Sequence, residues 1–195
     1  MRDDLRSDVS ALVDGARQGD QVAWDALVQR FTGLLWSVAR SYRLNDAVAG
    51  DVVQTTWLRL LEHLGDLHDP AQLGAWLATT ARRESLRLLR HTNREVVSAD
   101  EKLENVEDPG PLVDAALLER ERDAQLWVAV AGLPPRCQRL LRVLMASPPP
   151  SYQEVAAALD MPVGSIGPTR ARCLDHLRRE IATSGISGAL RDSAN

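Results

Sequence analysis

Residues 151–179 read SYQEVAAALDMPVGSIGPTRARCLDHLRR, and the way this stretch is punctuated decides how the rest of the chain is understood. Ser151 followed three residues on by Glu154 is a capping box, in which hydroxyl and carboxylate each satisfy a backbone N–H that a helix start leaves without an acceptor. The apolar positions Tyr152, Val155, Ala156 and Leu159 then recur at helical steps, and Asp160-Met161-Pro162 stops the run. A second helix is expected after Pro162, with Ser165 as its N-cap and Pro168 tolerated in a first turn whose N–H groups have no intrahelical partner. Its inward stripe is Ile166, Cys173, Leu174, Leu177 and Ile181, leaving Gly167, Thr169, Arg172, His176 and Arg179 mostly outside. Two helices joined by one short turn are helix-turn-helix geometry, in which the second helix enters a DNA major groove. A helical hairpin inside an unrelated bundle is the alternative reading of the same residues.

With 195 residues the chain has room for one large or two small domains. Ten prolines in a few clusters and only three Tyr or Phe, against abundant Leu, Ala and Arg, favour helices over sheets. The expected fold class is all-α: two small helical domains joined by an acidic flexible linker, the second containing the helix-turn-helix. The net charge of −4 does not by itself suggest nucleic acid, so the distribution of charge matters more than its sum. Arg82, Arg83, Arg87, Arg90 and Arg94 crowd one stretch with Glu84 as their single acid. Asp100, Glu101, Glu104, Glu107, Asp108, Asp114, Glu119 and Glu121 crowd the next, against only Lys102 and Arg120.

Upstream, a short helix over 9–16 should end at Gln18-Gly19-Asp20, and Asp20 can cap a second helix carrying Ala23, Trp24, Leu27, Val28 and Phe31. Asn45 or Asp46 caps a helix over 47–64 whose core stripe is Val48, Val52, Val53, Trp57, Leu60, Leu61 and Leu64. Its opposite side carries Asp51, Gln54, Thr55, Leu58 and Glu62. A leucine inside a polar face is either an ordinary exposed apolar residue or the centre of a face that docks a partner helix. A helix over 71–91 bears the arginine cluster; dipole complementarity accounts for Arg90 and Arg87 near its end, not for Arg82 and Arg83 nearer its middle. The expected division is 1–94 as first domain, 95–111 as acidic linker, 112–183 as second domain and 184–195 as a frayed tail.

Catalysis is not expected. There is no Gly-rich phosphate loop, GxSxG or HExxH, and the four histidines have no metal-ligand spacing with one another or with Cys137 and Cys173, so no metal and no cofactor is expected. Both cysteines fall on apolar helix faces and read as buried, reduced thiols. No signal peptide opens the chain, and no apolar stretch approaches the roughly 20 residues of a membrane span, so a soluble cytoplasmic protein without membrane insertion is expected.

Several of these stretches, in this order, resemble the bacterial RNA polymerase sigma factors of the extracytoplasmic-function type. The first block comprises Gly19-Asp20 through Trp24, the run Asp51-Val52-Val53-Gln54-Thr55-Thr56-Trp57-Leu58, and Ala75-Trp76-Leu77 followed by Ala81-Arg82-Arg83. The second comprises Leu133-Pro134-Pro135-Arg136, Ser151 through Ala156, and Met161 through Ile166. The resemblance implies a sigma factor that binds core RNA polymerase and directs promoter recognition and DNA melting. It implies that Asp51, Gln54, Thr55 and Leu58 dock on the clamp helices of the largest polymerase subunit, and that Arg82, Arg83 and Arg87, with Arg90 beside them, meet the minus-ten element of promoter DNA. It further implies that Ser165, Gly167, Thr169, Arg170 and Arg172 face the minus-thirty-five element. The acidic linker would thread the polymerase toward its RNA channel as an RNA-like plug, and an anti-sigma factor is a common partner in the family. Many relatives carry Asn at the position of Arg83, and Lys and Arg at those of Gly167 and Thr169. The competing readings are a stand-alone helix-turn-helix regulator, which has no need of the face from Asp51 to Leu58, and a helical enzyme or adaptor.

Overall fold

The computed structural model describes residues 2–98 and 128–183, and their regular elements are all helices, with no strand among them. Helix α1 (Arg2–Arg17) ends where Gly19, at φ +85°, adopts the left-handed backbone that a residue without Cβ takes at little cost. The carboxylate of Asp20 then accepts from the N–H groups of Val22 and Ala23 and starts α2 (Gln21–Ser41). Asn45 caps α3 (Asp46–His63) by accepting from the Val48 N–H at 2.9 Å. A 3₁₀ turn, Pro70–Gln72, capped by Asp69, leads into α4 (Leu73–Ser98). The α4 helix therefore passes through the expected domain boundary at residue 94.

Buried Leu27, Phe31 and Leu35 of α2 meet Val52 and Leu60 of α3 and Leu73, Leu77 and Ala81 of α4 in the core. The Trp24 and Trp57 rings meet edge to face at 5.7 Å and link α2 to α3 beside it.

In the second half, residues 128–131 are helical and Pro134-Pro135 starts α5 (Pro135–Leu144), where a proline's missing N–H costs nothing in the first turn. The capping box of α6 (Tyr152–Leu159) closes in both directions: the Ser151 N–H donates to Glu154 Oε2 at 2.5 Å and the Glu154 N–H to Ser151 Oγ at 3.3 Å. Asp160 ends α6 in the left-handed region at φ 56°, and α7 (Val163–Thr183) follows. Val155, Ala156 and Ala158 form the buried side of α6, while Tyr152, expected inside, is exposed.

Two expectations about α7 need correction. The helix starts at Val163, so Ser165 is not its N-cap: it sits in the first turn, and its hydroxyl donates to the Pro162 carbonyl at 2.8 Å. Pro168 consequently lies inside the helix, where it offers no N–H to the Gly164 carbonyl. The cysteines also depart from expectation. Cys137 of α5 and Cys173 of α7 form a disulfide, because two inward stripes that look independent in the sequence face one another across the same core.

The two halves share a contiguous core: α6 packs extensively on α4, and α5 packs on α2. Among the described residues no helix is long and apolar enough to cross a membrane. The acidic stretch from Asp100, most of the expected linker, residues 112–127 and the tail over 184–195 lie outside the described residues.

Candidate functional site

Asp51, Gln54, Thr55 and Leu58 occupy i, i+3, i+4 and i+7 on α3 and share one face, because the residues between them, Val52, Val53 and Thr56, are drawn into the core. Thr56 is fully buried, and its hydroxyl donates to the Val52 carbonyl at 2.7 Å, which lets a polar group occupy the interior. Asp51 and Gln54 are exposed, Thr55 is half-buried, and Leu58 is 52% exposed. Leu61, expected in the core, is 54% exposed and lies beside this face one turn on. The result is a pair of leucines flanked by an acid and an amide.

The arginines of α4 divide into two sets. Arg83, Arg87 and Arg90 follow i, i+4, i+7 spacing and are exposed along one strip, with Arg87 paired to Glu84 at 2.7 Å. Arg82 points elsewhere. Its guanidinium meets the Asp160 carboxylate at 3.1 Å, its side chain is 18% exposed, and its buried Nε has no hydrogen-bond partner. The sequence reading grouped it with the others, whereas the fold turns it toward the second half of the chain.

The residues expected on the recognition helix are not brought onto one strip. Ser165 and Arg172 are a near-integral two turns apart and share a side of α7, whereas Gly167 lies roughly 140° away around the axis. No atom lies within 4 Å of where a Gly167 Cβ would stand. Arg170 is exposed but shares its side with Leu174 and Leu177; together with Val130, Leu141, Leu144 and Met145 these line an apolar cavity of about 180 Å³. Thr169, expected outside, is 5% exposed: it sits at i+3 from buried Ile166 and i−4 from buried Cys173, and its Oγ1 accepts from Arg172 at 3.4 Å.

Between the halves lies a set of residues that the sequence reading did not single out. Arg43 donates to Gln138 Oε1 at 2.9 Å, Arg142 to the Arg40 carbonyl at 3.1 Å, and the Tyr42 hydroxyl to the Ala158 carbonyl at 3.4 Å. Burial pushes the Tyr42 phenol above its usual range, opposed by the nearby cations Arg82 and Arg139 and assisted by Asp160. The available signal was glycine inside helix patterns, which marks close backbone approach. At Gly33 of α2 a Cβ would collide with the Ser147 carbonyl oxygen, and at Gly74 of α4 with the Glu154 carboxylate. Among the described residues no group of three or more His, Cys, Asp or Glu could hold a metal ion.

Comparison with known proteins adds to this geometry. Residues 27–95 match the family model described as Sigma-70 region 2. The chain is 25% identical over 169 residues to a probable RNA polymerase sigma factor, RfaY, of Xanthomonas campestris pv. campestris, covering 85% of this chain and 42% of that one. It is 26% identical over 170 residues to the ECF RNA polymerase sigma factor SigE of Mycolicibacterium smegmatis, covering 84% and 65% respectively. The chain thus spans less than two thirds of the length of either relative. In fold it is similar to the sigma factor RpoE of Bartonella quintana, solved in complex with the anti-sigma factor NepR: TM-score 0.57, 21% identity, 81% of this chain and 97% of that one.

Proposed function

The chain belongs to the RNA polymerase sigma factors of the extracytoplasmic-function type, and on that premise we propose that it binds core RNA polymerase and directs promoter recognition and DNA melting at initiation. The observation that carries this reading is the α3 face. Leu58 and Leu61 stand out of the core beside Asp51 and Gln54, an arrangement suited to a helical protein partner and superfluous to a regulator that binds DNA alone.

The remaining parts follow from charge and exposure. Arg83, Arg87 and Arg90 form a strip that suits the phosphates of a strand being opened, contributing salt-dependent affinity. Ser165 and Arg172, which share a side of α7, face duplex edges at the minus-thirty-five element, with Arg170 and Gly167 flanking them on either side and Gly167 permitting close backbone approach. Thr169 supports Arg172 from within. The division of labour is a first unit for polymerase and the minus-ten element, a second for the minus-thirty-five element, and an acidic connection between them. Sigma factors are generally non-enzymatic initiation factors that work beside polymerase in the cytoplasm. An anti-sigma factor is a fitting further partner, as the Bartonella relative has one.

Run-off transcription with core polymerase on genomic fragments tests the whole reading. Transcripts starting at discrete positions are expected only when the chain is added. A chain that shifts duplex DNA by itself yet never co-elutes with core polymerase would instead be a stand-alone regulator.

A further inference from the structure

Few points hold the helix that faces duplex edges. Among the described residues α7 packs chiefly on α5 and α6, and its buried side chains are Ile166, Thr169 and Cys173. Further along, Leu174 and Leu177 are half-buried over the apolar cavity. Ile166 and Cys173 are two turns, about 10 Å, apart on one side of α7. Two such points fix the direction of an axis, whereas one permits a pivot. The second point is covalent, through Cys137 in the first turn of α5. Between the two lies Pro168, which leaves the Gly164 carbonyl without its helical donor and so weakens the helix's own stiffness. Arg172 directly precedes Cys173, so a pivot about Ile166 would carry it away from a base edge.

The setting of the bond is also informative. In a cytoplasm, thiol reductants keep most cysteines reduced, and the disulfides that do form there are mostly transient or redox-sensing. The two sulfurs are not equally open: Cys137 is 9% exposed and Cys173 0%. Cys137 also stands among first-turn N–H groups that favour negative charge, as an attacking sulfur carries.

We propose that the Cys137–Cys173 pair is a redox modification site: Cys137 exchanges with dithiols and low-molecular-weight disulfides, Cys173 resolves, and the closed bond sets the pose of α7, so that promoter recognition strengthens as the surroundings become oxidising. Its last clause rests on the sigma-factor reading. In the reducing direction a thiolate of the dithiol attacks Cys137 Sγ, the bond to Cys173 breaks, and Cys173 leaves as a thiolate that takes a proton. The dithiol's second thiolate then displaces Cys137, which is protonated in turn; the pair has gained two electrons and two protons, and the reductant ends as a disulfide. In the oxidising direction the Cys137 thiolate displaces one thiol from the small disulfide and Cys173 displaces the other, the two released thiols carrying off the protons.

The test compares full chain, oxidised or treated with dithiothreitol, by amide hydrogen exchange and, as holoenzyme on core polymerase, by run-off transcription from a genomic fragment. Reduction should quicken exchange in α7 by about tenfold and in α2 and α6 by less than about twofold, and should weaken apparent promoter affinity by about tenfold, as when the reading pose falls to one tenth of the population. Cys137→Ala/Cys173→Ala should behave as the reduced chain with or without dithiothreitol, which separates the bond from any effect of reductant on polymerase. With glutathione disulfide as probe, Cys173→Ser should gain one glutathione by mass about tenfold faster than Cys137→Ser, in line with the access to each sulfur. Equal uptake by the two variants, or equal promoter affinity in both redox states, overturns the proposal. So does exchange that quickens alike across α5, α6 and α7 with loss of helix by circular dichroism, the mark of a plain structural brace. Absence of transcripts in both states removes the sigma-factor reading, and the exchange and mass measurements then decide the redox site by themselves.

Discussion

Cys137 and Cys173 stand with their Cα atoms 5.3 Å apart and their sulfurs joined, so that the helix starting at Pro135 is bolted to the middle of α7. The bond spans a sequence separation of 36, and by loop-closure entropy a cross-link of that reach stabilises the fold by about 3–4 kcal/mol. Urea denaturation of the wild type should shift to lower midpoint when a thiol reductant is added. The double variant Cys137→Ala/Cys173→Ala should start low and not respond. Identical midpoints with and without reductant in the wild type would show that the bridge contributes nothing.

Leu58 and Leu60 are near neighbours with opposite surroundings, one half in water and the other fully buried. Leu58→Arg should change unfolding free energy by under about 0.5 kcal/mol, as exposed substitutions usually do, while abolishing co-elution with core polymerase. Leu60→Ala should cost about 2–5 kcal/mol through the cavity it leaves, and should affect polymerase binding only as far as the protein unfolds. Retention of co-elution by Leu58→Arg would remove the α3 face from the docking surface.

Arg83, Arg87 and Arg90 share an exposed strip, so their loss should be felt by DNA and not by the fold. Replacing all three with Ala should lower the slope of log affinity against log salt by about 2 for a single-stranded probe, counting one phosphate per arginine. The measurement uses holoenzyme assembled on core polymerase. An unaltered slope would take the strip out of the phosphate contacts.

Tyr42 lies beside Arg82, Arg139 and Asp160, and burial raises its phenol above the usual 10.0 in spite of the two cations. A folded value above the unfolded one means that the folded chain holds this proton more tightly. The associated stability is complete below about pH 10 and is lost as pH rises through the folded value. Urea midpoints of the wild type should therefore fall more steeply above about pH 10 than those of Tyr42→Phe, which has no proton to lose there. Parallel slopes in the two proteins would contradict the assignment.

Signals within a few residues of each other were legible in the sequence. The Asp20 and Asn45 caps, the Ser151–Glu154 capping box and the Pro134-Pro135 start all rest on local hydrogen bonding or fixed φ, and all appear where their residues predict. That Asp51, Gln54, Thr55 and Leu58 share one face of α3 was readable for the same reason, since helical periodicity alone places them together. Errors arose where a neighbour outside the local window decides. Leu61 and Tyr152 are apolar at plausible core positions but meet no partner helix, so they stay in water. Thr169, expected mostly outside because it is not on the apolar stripe, is in register with Ile166 and Cys173, which places it against the core. The cysteine pair and the Arg82–Asp160 contact required knowledge of which helices lie side by side, and reading the chain as two separate domains concealed both.

Position 33 admits a hydrogen atom and nothing larger, although a methyl group there would strengthen α2 taken by itself. The chain thus keeps a weak helix former where a strong one would be easy to install, and what it obtains is access for a carbonyl from the far half. An assay confined to the isolated front segment would rank alanine above glycine at this site, while one on the entire polypeptide would reverse the order, so the sign of a single methyl reports whether the molecule is folded shut.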